Sequence, residues 1–411
     1  MKIGIVTTWF ERGAAYVSKQ YEQLLQDEHE VFIYARGGEE YAIGDPEWDK
    51  ENVWWGKRYA LPITATYVDE NDFINWIHIH NIEVILFNEQ RWWQPLKICK
   101  EMGIKTGAYI DYYTKDTIPL YSAYDFLICN TERHYSVFSD HPQCYYVPWG
   151  TDVELFSMEN DKLVEDNTLT FFHSSGMNPF RKGTDQVIKA FNILQEKHDN
   201  IKLIIHTQVN LEKFFPKLKS TINNLLDKEK IKIIEKTVRA PGLYHLGDIY
   251  VYPSRLEGIG LTLAEAISCG LPIITSDNSP MNEFVDNSFS KVVKIEKYYK
   301  REDDYYWSMC EVDLIDLAEK MEFYVKNVDK MQIYKQQART YALKSLNWKK
   351  NQRSLSSIFL ASKILPIDDE VFKLIDKEDN SKFPFISKVP MLYKHLFFIY
   401  RTIKHMVKGK K

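Results

Sequence analysis

Two glutamates, Glu257 and Glu265, flank a glycine turn in the stretch Pro253-Ser254-Arg255-Leu256-Glu257-Gly258-Ile259-Gly260-Leu261-Thr262-Leu263-Ala264-Glu265. A carboxylate accepts hydrogen bonds from neighbouring hydroxyls, so each is a natural partner for a sugar or a ribose. The apolar run Asp248 to Tyr252 reads as a buried parallel strand. Gly258 and Gly260 let the backbone approach a ligand closely. Leu261 to Ser268 reads as a helix, closed by Gly270 and Pro272. The backbone N–H groups of Gly258, Ile259, Gly260, Leu261 and Thr262 are then available to an anion at the helix start. A glutamate on each side of such a start suits a nucleotide sugar. The residues alone equally allow a surface glutamate in a loop and a glutamate on a helix face.

A second stretch has the same logic. Leu169 to His173 reads as a strand, followed by a loop carrying Arg181, Lys182 and Gly183, then a helix over Asp185 to Leu194. A basic, glycine-bounded loop between strand and helix reads phosphate, or is simply a solvated basic loop. Near the N-terminus, Ile3 to Thr7 reads as a strand and Gly13 opens a helix, with no G-x-G-x-x-G to strengthen the motif. His29–Ala35, Glu83–Phe87 and Lys105–Ile110 continue the strand-then-helix alternation. The pattern implies an α/β chain with doubly wound parallel sheets, whose ligands bind at the carboxyl ends of the strands. Aromatic pairs recur just after those ends: Trp9-Phe10, Trp92-Trp93 and Tyr112-Tyr113. Trp9, Trp92, Trp93 and Tyr112 are candidates to stack on an acceptor sugar or lipid, although such rings also fill cores.

The chain has 411 residues, enough for two cores, with 45% hydrophobic and 27% charged residues, as in a soluble globular protein. A net charge of -4 argues against general nucleic-acid binding. The five cysteines are scattered without a C-x-x-C pair, which indicates neither a zinc site nor a disulfide framework and fits a reducing cytoplasm. Met1-Lys2-Ile3-Gly4-Ile5-Val6 reads as a strand rather than a signal peptide.

Glu257, seven residues, then Glu265, set in Pro-Ser-x-x-Glu-Gly-x-Gly-Leu…Glu-Ala…Gly-Leu-Pro-Ile-Ile, resembles the signature of retaining nucleotide-sugar glycosyltransferases of family 4. Pro148-Trp149-Gly150-Thr151-Asp152…Phe156 is similar to that family's interdomain linker, and Ser345-Leu346-Asn347-Trp348 to the start of its last helix. The resemblance implies the GT-B architecture, two facing Rossmann-like domains with a C-terminal crossover helix. The expected divisions are 1–148 (acceptor side), 149–345 (nucleotide-sugar side), 346–364 (crossover helix) and 365–411 (extension).

By the same resemblance, Glu257 contacts the donor sugar and Glu265 the ribose. Gly13, Lys182 and the 258–262 backbone meet the diphosphate. UDP is the commonest donor nucleotide in such enzymes, and neither metal nor other cofactor is expected. Relatives carry an arginine where this chain has Gly176, and Arg181 is the candidate to replace its charge. They also carry a histidine after the central strand, where this chain has Asp111, the candidate to orient the acceptor or donor sugar. Glu257→Ala is expected to lower turnover and leave the fold intact. A sugar-nucleotide epimerase and a non-catalytic scaffold of the same fold are the alternative readings.

From residue 381 to 411 there is no acidic residue, while lysines and Arg401 alternate with apolar side chains. Such a segment suits peripheral contact with an anionic membrane from the cytoplasmic side, or a helix packed on the first domain.

Overall fold

The computed structural model describes residues 1–58, 66–158, 168–366 and 368–382. They form two units. Unit 1 holds Met1–Asn130, His134–Val147 and the chain from Arg353 onward, and unit 2 holds Thr131–Arg133 and Pro148–Gln352.

Unit 1 is built on a seven-stranded sheet in the order β3-β2-β1-β4-β5-β6-β7. Its strands are β1 (Lys2–Thr7), β2 (Glu30–Ala35), β3 (Val53–Trp55), β4 (Val84–Asn88), β5 (Lys105–Tyr109), β6 (Phe126–Cys129) and β7 (Cys144–Tyr146). All neighbours pair in parallel. Parallel sheets carry helices on both faces, which is why their central strands are apolar throughout: Ile3, Ile5, Ile85, Leu86, Leu127 and Ile128 are fully buried.

Unit 2 repeats the plan with β8 (Leu169–Gly176), β9 (Ile201–Thr207), β10 (Ile231–Glu235), β11 (Ile249–Tyr252), β12 (Ile273–Ser276) and β13 (Lys291–Val293) in the order β10-β9-β8-β11-β12-β13. An antiparallel hairpin, β14 (Ile295–Tyr299) and β15 (Met309–Val312), is appended. In both sheets the winding direction reverses once, between β1 and β4 in unit 1 and between β8 and β11 in unit 2. Loops leave opposite faces of the sheet at such a point and open a crevice above the carboxyl ends of the strands.

The single crossover helix expected over 346–364 is instead two short ones, Trp348–Asn351 and Leu355–Ala361. The side chain of Asn347 caps the first by accepting the Lys350 N–H, and the chain turns at Gln352–Ser354, where unit 2 gives way to unit 1. The extension expected from 365 begins with an acidic helix, Asp369–Lys382, bound to unit 1. Asp379 accepts the Trp93 N–H at 3.1 and 3.2 Å, and Asp376 accepts from Lys97 Nζ at 2.6 Å. The basic stretch 383–411, and the membrane contact expected of it, lies outside the described residues. Among the described residues no helix is long and apolar enough to cross a membrane.

Candidate active site

The reversal point of unit 2 brings together the two loops that the residue types singled out. The Arg255 N–H donates to the Arg181 carbonyl at 2.8 Å, and Ser254 Oγ lies 3.1 Å from the same oxygen. The Arg255 side chain, 2% exposed, forks onto both carboxylate oxygens of Asp185 at 2.7 and 2.9 Å and donates to the Phe180 carbonyl. Gly183 turns the chain into the helix Thr184–Gln195 with φ +75°, and a Cβ there would stand 2.1 Å from the Pro253 carbonyl oxygen. Both the backbone conformation and the contact exclude a side chain. Gly183→Ala is therefore expected to cost more than about 2 kcal/mol in urea unfolding, because a left-handed residue and a main-chain clash are imposed together. A loss under 0.5 kcal/mol, roughly that of a neutral surface change, would show that the two loops are not locked at this point.

Locked in this way, the loops close around the Glu257 carboxylate. Its Oε1 accepts from Ser254 Oγ at 2.6 Å, Lys182 Nζ at 2.7 Å and the Tyr252 hydroxyl at 2.9 Å, and its Oε2 from Arg181 Nη1 at 3.1 Å. Burial pushes the Glu257 pKa up, but the charges of Arg181 and Lys182 and the hydrogen bonds outweigh it and hold the group down at about 2. Lys182 moves in the unusual direction for an ion-paired lysine. Burial and the like charge of Arg181 exceed the pull of Glu257 and bring it down to about 8. Two cations and one carboxylate thus share a site in which Lys182 is 16% and Arg181 33% exposed. The excess positive charge is what an oxyanion would meet. Arg181 stands beside Lys182 on the same carboxylate, and Gly176 turns the chain at φ +56°.

Beyond the turn, Gly260 at φ +93° begins the helix Leu261–Ser268, which matches the span read from the sequence. Its first N–H groups lack intrahelical acceptors by geometry. Glu265 lies in this helix, half-buried, and accepts the Tyr244 hydroxyl. Burial raises its pKa. A carboxylate has about four lone-pair positions, so the tyrosine leaves room for further hydroxyls.

In unit 1, Gly13 is exposed at the first position of the helix Gly13–Leu25. Asp111 follows β5 and hydrogen bonds the side chain of Glu89, which follows β4. Tyr112 is half-buried beneath the Arg91 guanidinium, 3.8 Å from the ring centre.

The other three aromatic candidates are corrected by their burial. Trp9 is 1% exposed and donates Nε1–H to the Trp48 carbonyl at 2.7 Å. Trp92 is 4% exposed against Tyr67, and Trp93 is 2% exposed and edge-on to Tyr121. These indoles close the core under the loops that follow the strands, and present no face on which a sugar could stack.

Several site residues escaped the sequence reading: Arg255 and Asp185, which lock the loops, Ser254 and Tyr252, which hold Glu257, and Tyr244, which holds Glu265. An arginine two residues before Glu257 was the available signal for the lock. The Tyr244–Glu265 contact joins residues 21 apart and left no local signature.

A sequence profile of the family described as glycosyl transferases group 1 matches residues 158–302, the segment that carries this site. The GDP-mannose-dependent monoacylated alpha-(1-6)-phosphatidylinositol monomannoside mannosyltransferase of Corynebacterium glutamicum is 26% identical over 266 residues, 59% of this chain and 63% of that protein. The chain spans 55% and 63% of the length of the first two curated relatives it matches. Among solved structures, a glycosyltransferase from Rickettsia africae superposes with a TM-score of 0.68 at 14% identity, covering 88% of this chain and 99% of that one. HepE from Anabaena, solved with UDP and glucose, gives 0.66 at 14% identity, covering 88% and 100%. At that identity the likeness shows the fold, two parallel-sheet α/β domains of the GT-B type.

Proposed function

We propose that the chain is a retaining glycosyltransferase that moves a sugar from a nucleotide diphosphate sugar to a hydroxyl of a carbohydrate or lipid-linked glycan, in the synthesis of a surface polysaccharide or glycoconjugate. The observation that carries this reading is the clustering of Lys182, Arg181 and Glu257 at the reversal point of unit 2, between a helix start and Glu265. The matched family, the GDP-mannose-dependent relative and the UDP and glucose in HepE support a nucleotide-sugar donor. UDP-sugars are the first to test and GDP-sugars the second.

In this reading Lys182, Arg181 and the 258–262 backbone amides face the diphosphate. Charge grows on the leaving phosphate oxygen as its bond to the anomeric carbon breaks, and donors fixed beforehand stabilise it without reorganisation. The acceptor oxygen bonds to the same face of that carbon, and its proton passes to the departing phosphate. Glu257 holds the two cations in place and contacts hydroxyls of the donor sugar, Gly13 offers backbone N–H to the donor phosphates, and Asp111 orients the acceptor in unit 1. No metal is assigned a part. A cytoplasmic location, with peripheral contact with an anionic membrane through 381–411, belongs to the same proposal.

Glu265 holds the ribose hydroxyls. Glu265→Ala is expected to raise the apparent donor KM about tenfold with little change in kcat, the loss of a hydrogen bond to a charged group. Steady-state kinetics over a donor series measures it, and an unchanged KM rules out the ribose role.

A further inference from the structure

Glu89 occupies a left-handed backbone conformation, φ +51°, directly after the central strand β4. A non-glycine residue is held there only when its surroundings over-determine it, and such residues cluster at functional sites. The surroundings are explicit. Arg36, with no exposed side-chain surface, donates to the Asn88 carbonyl at 2.6 Å, the Glu89 carbonyl at 3.5 Å and Gln90 Oε1 at 3.4 Å, and is itself held by Glu39 at 3.1 Å. Asn88 Nδ2 donates to the Ala14 carbonyl at 2.9 Å and Ser18 Oγ at 2.7 Å. The loop after β4 is thereby fastened to the segment after β1, and these are the two elements flanking the reversal point of the unit 1 sheet.

The Glu89 side chain lies 3.9 Å from Arg12 Nη2, 17% exposed, and hydrogen bonds Asp111. Burial pushes the Glu89 pKa up, but the hydrogen bond to Asp111 and the charges of Arg12, Arg36 and Arg91 outweigh it and favour the carboxylate. The Glu89 carboxylate then stands, fixed by its backbone and its neighbours, where the topology places a ligand.

We propose that Glu89 is the acceptor-binding residue of unit 1: its carboxylate accepts the hydrogen bond of an acceptor hydroxyl beside the attacking one, which positions the attacking oxygen and leaves its proton to pass to the departing phosphate. This rests on the glycosyl-transfer reading and names a residue for its acceptor.

The test uses the full chain, methyl glycosides of common hexoses as acceptors, and whichever nucleotide sugar protects the wild type against heat. Glu89→Gln is expected to lower transfer about 100-fold, the scale of a misplaced nucleophile, with donor protection unchanged and partial recovery in Glu89→Asp. Glu89→Gly is expected to melt at or above the wild-type temperature, because glycine relieves the backbone. Wild-type transfer by Glu89→Gln overturns the proposal, as does a lower melting temperature of Glu89→Gly, which would make the carboxylate a structural brace. Absence of donor protection in the wild type would instead sink the glycosyl-transfer reading, and with it the acceptor role. The glycine variant would still tell whether the backbone strain is held for a side chain that the fold does not need.

Discussion

Glu257→Ala is expected to lose at least about 100-fold in turnover and to become less stable at the same time, whereas the resemblance implied an intact fold. The reason lies in the partners. Lys182 and Arg181 both rest on this carboxylate, as do the hydroxyls of Ser254 and Tyr252. Removing it leaves two like charges side by side, one of them largely buried. Breaking a buried ion pair from one side costs about 3–5 kcal/mol, and partial exposure of the cations places this case at the lower end.

The same loss releases the cations from the geometry in which they meet a diphosphate, and fixed donors of that kind each contribute about 100-fold or more to rate. Glu257→Gln separates the two effects, since it keeps the shape and most hydrogen bonds while removing the charge. It is expected to be more stable than the alanine variant and nearly as inactive. Turnover within threefold of wild type in a folded Glu257→Gln protein would show that the charge is not needed.

The second large effect is a dependence on pH. Lys182 is held at about 8 in the folded chain, so its charge is lost well before that of an ordinary lysine. Affinity for a nucleotide diphosphate is expected to fall at least about tenfold between pH 7 and 9.5, because a bound diphosphate favours the protonated amine and must recruit the proton as pH rises. Arginine does not titrate in this range, so Lys182→Arg should flatten the profile. Calorimetric titration of UDP or GDP at the two pH values measures both. Equal affinities in the wild type would contradict the assignment of Lys182 to the phosphates.

Stability follows the opposite sign for the two partners. The folded pKa of Glu257, about 2, is below its unfolded value, so its contribution is complete above that unfolded value and is lost as pH falls through about 2. The folded pKa of Lys182 is also below its unfolded value, so burying its charge destabilises the fold at neutral pH and the penalty is relieved as pH rises above about 8.

The parts of the site that repeat a local physical rule were legible in the sequence. The apolar run ending at Tyr252, the glycine turn and the helix Leu261–Ser268 each carry their own signature, and the structure places them as read. Lys182 was legible because strand, basic loop, glycine and helix follow one another in sequence. The hairpin β14–β15 was not, since Ile295 to Asp304 mixes charge and aromatics without the alternation that marks a half-buried strand. Nor was the fate of Trp9, Trp92 and Trp93, because an aromatic after a strand end can face a crevice or fold back into the core, and only the neighbouring loops decide which. Glu89 escaped for a related reason. Its conformation comes from Arg36, 53 residues away in the chain, whose bond to the Glu89 carbonyl no spacing rule announces.

Protection against thermal unfolding by UDP-, GDP- and ADP-sugars, compared between wild type and Glu265→Ala, tests the claim that unit 2 is a nucleotide-sugar site most directly. A ligand that binds only the native state raises the melting temperature by mass action. One nucleotide series should stabilise the wild type and lose much of its effect in the variant. A melting temperature unmoved by every series, at concentrations that saturate ordinary nucleotide-sugar sites, would contradict it.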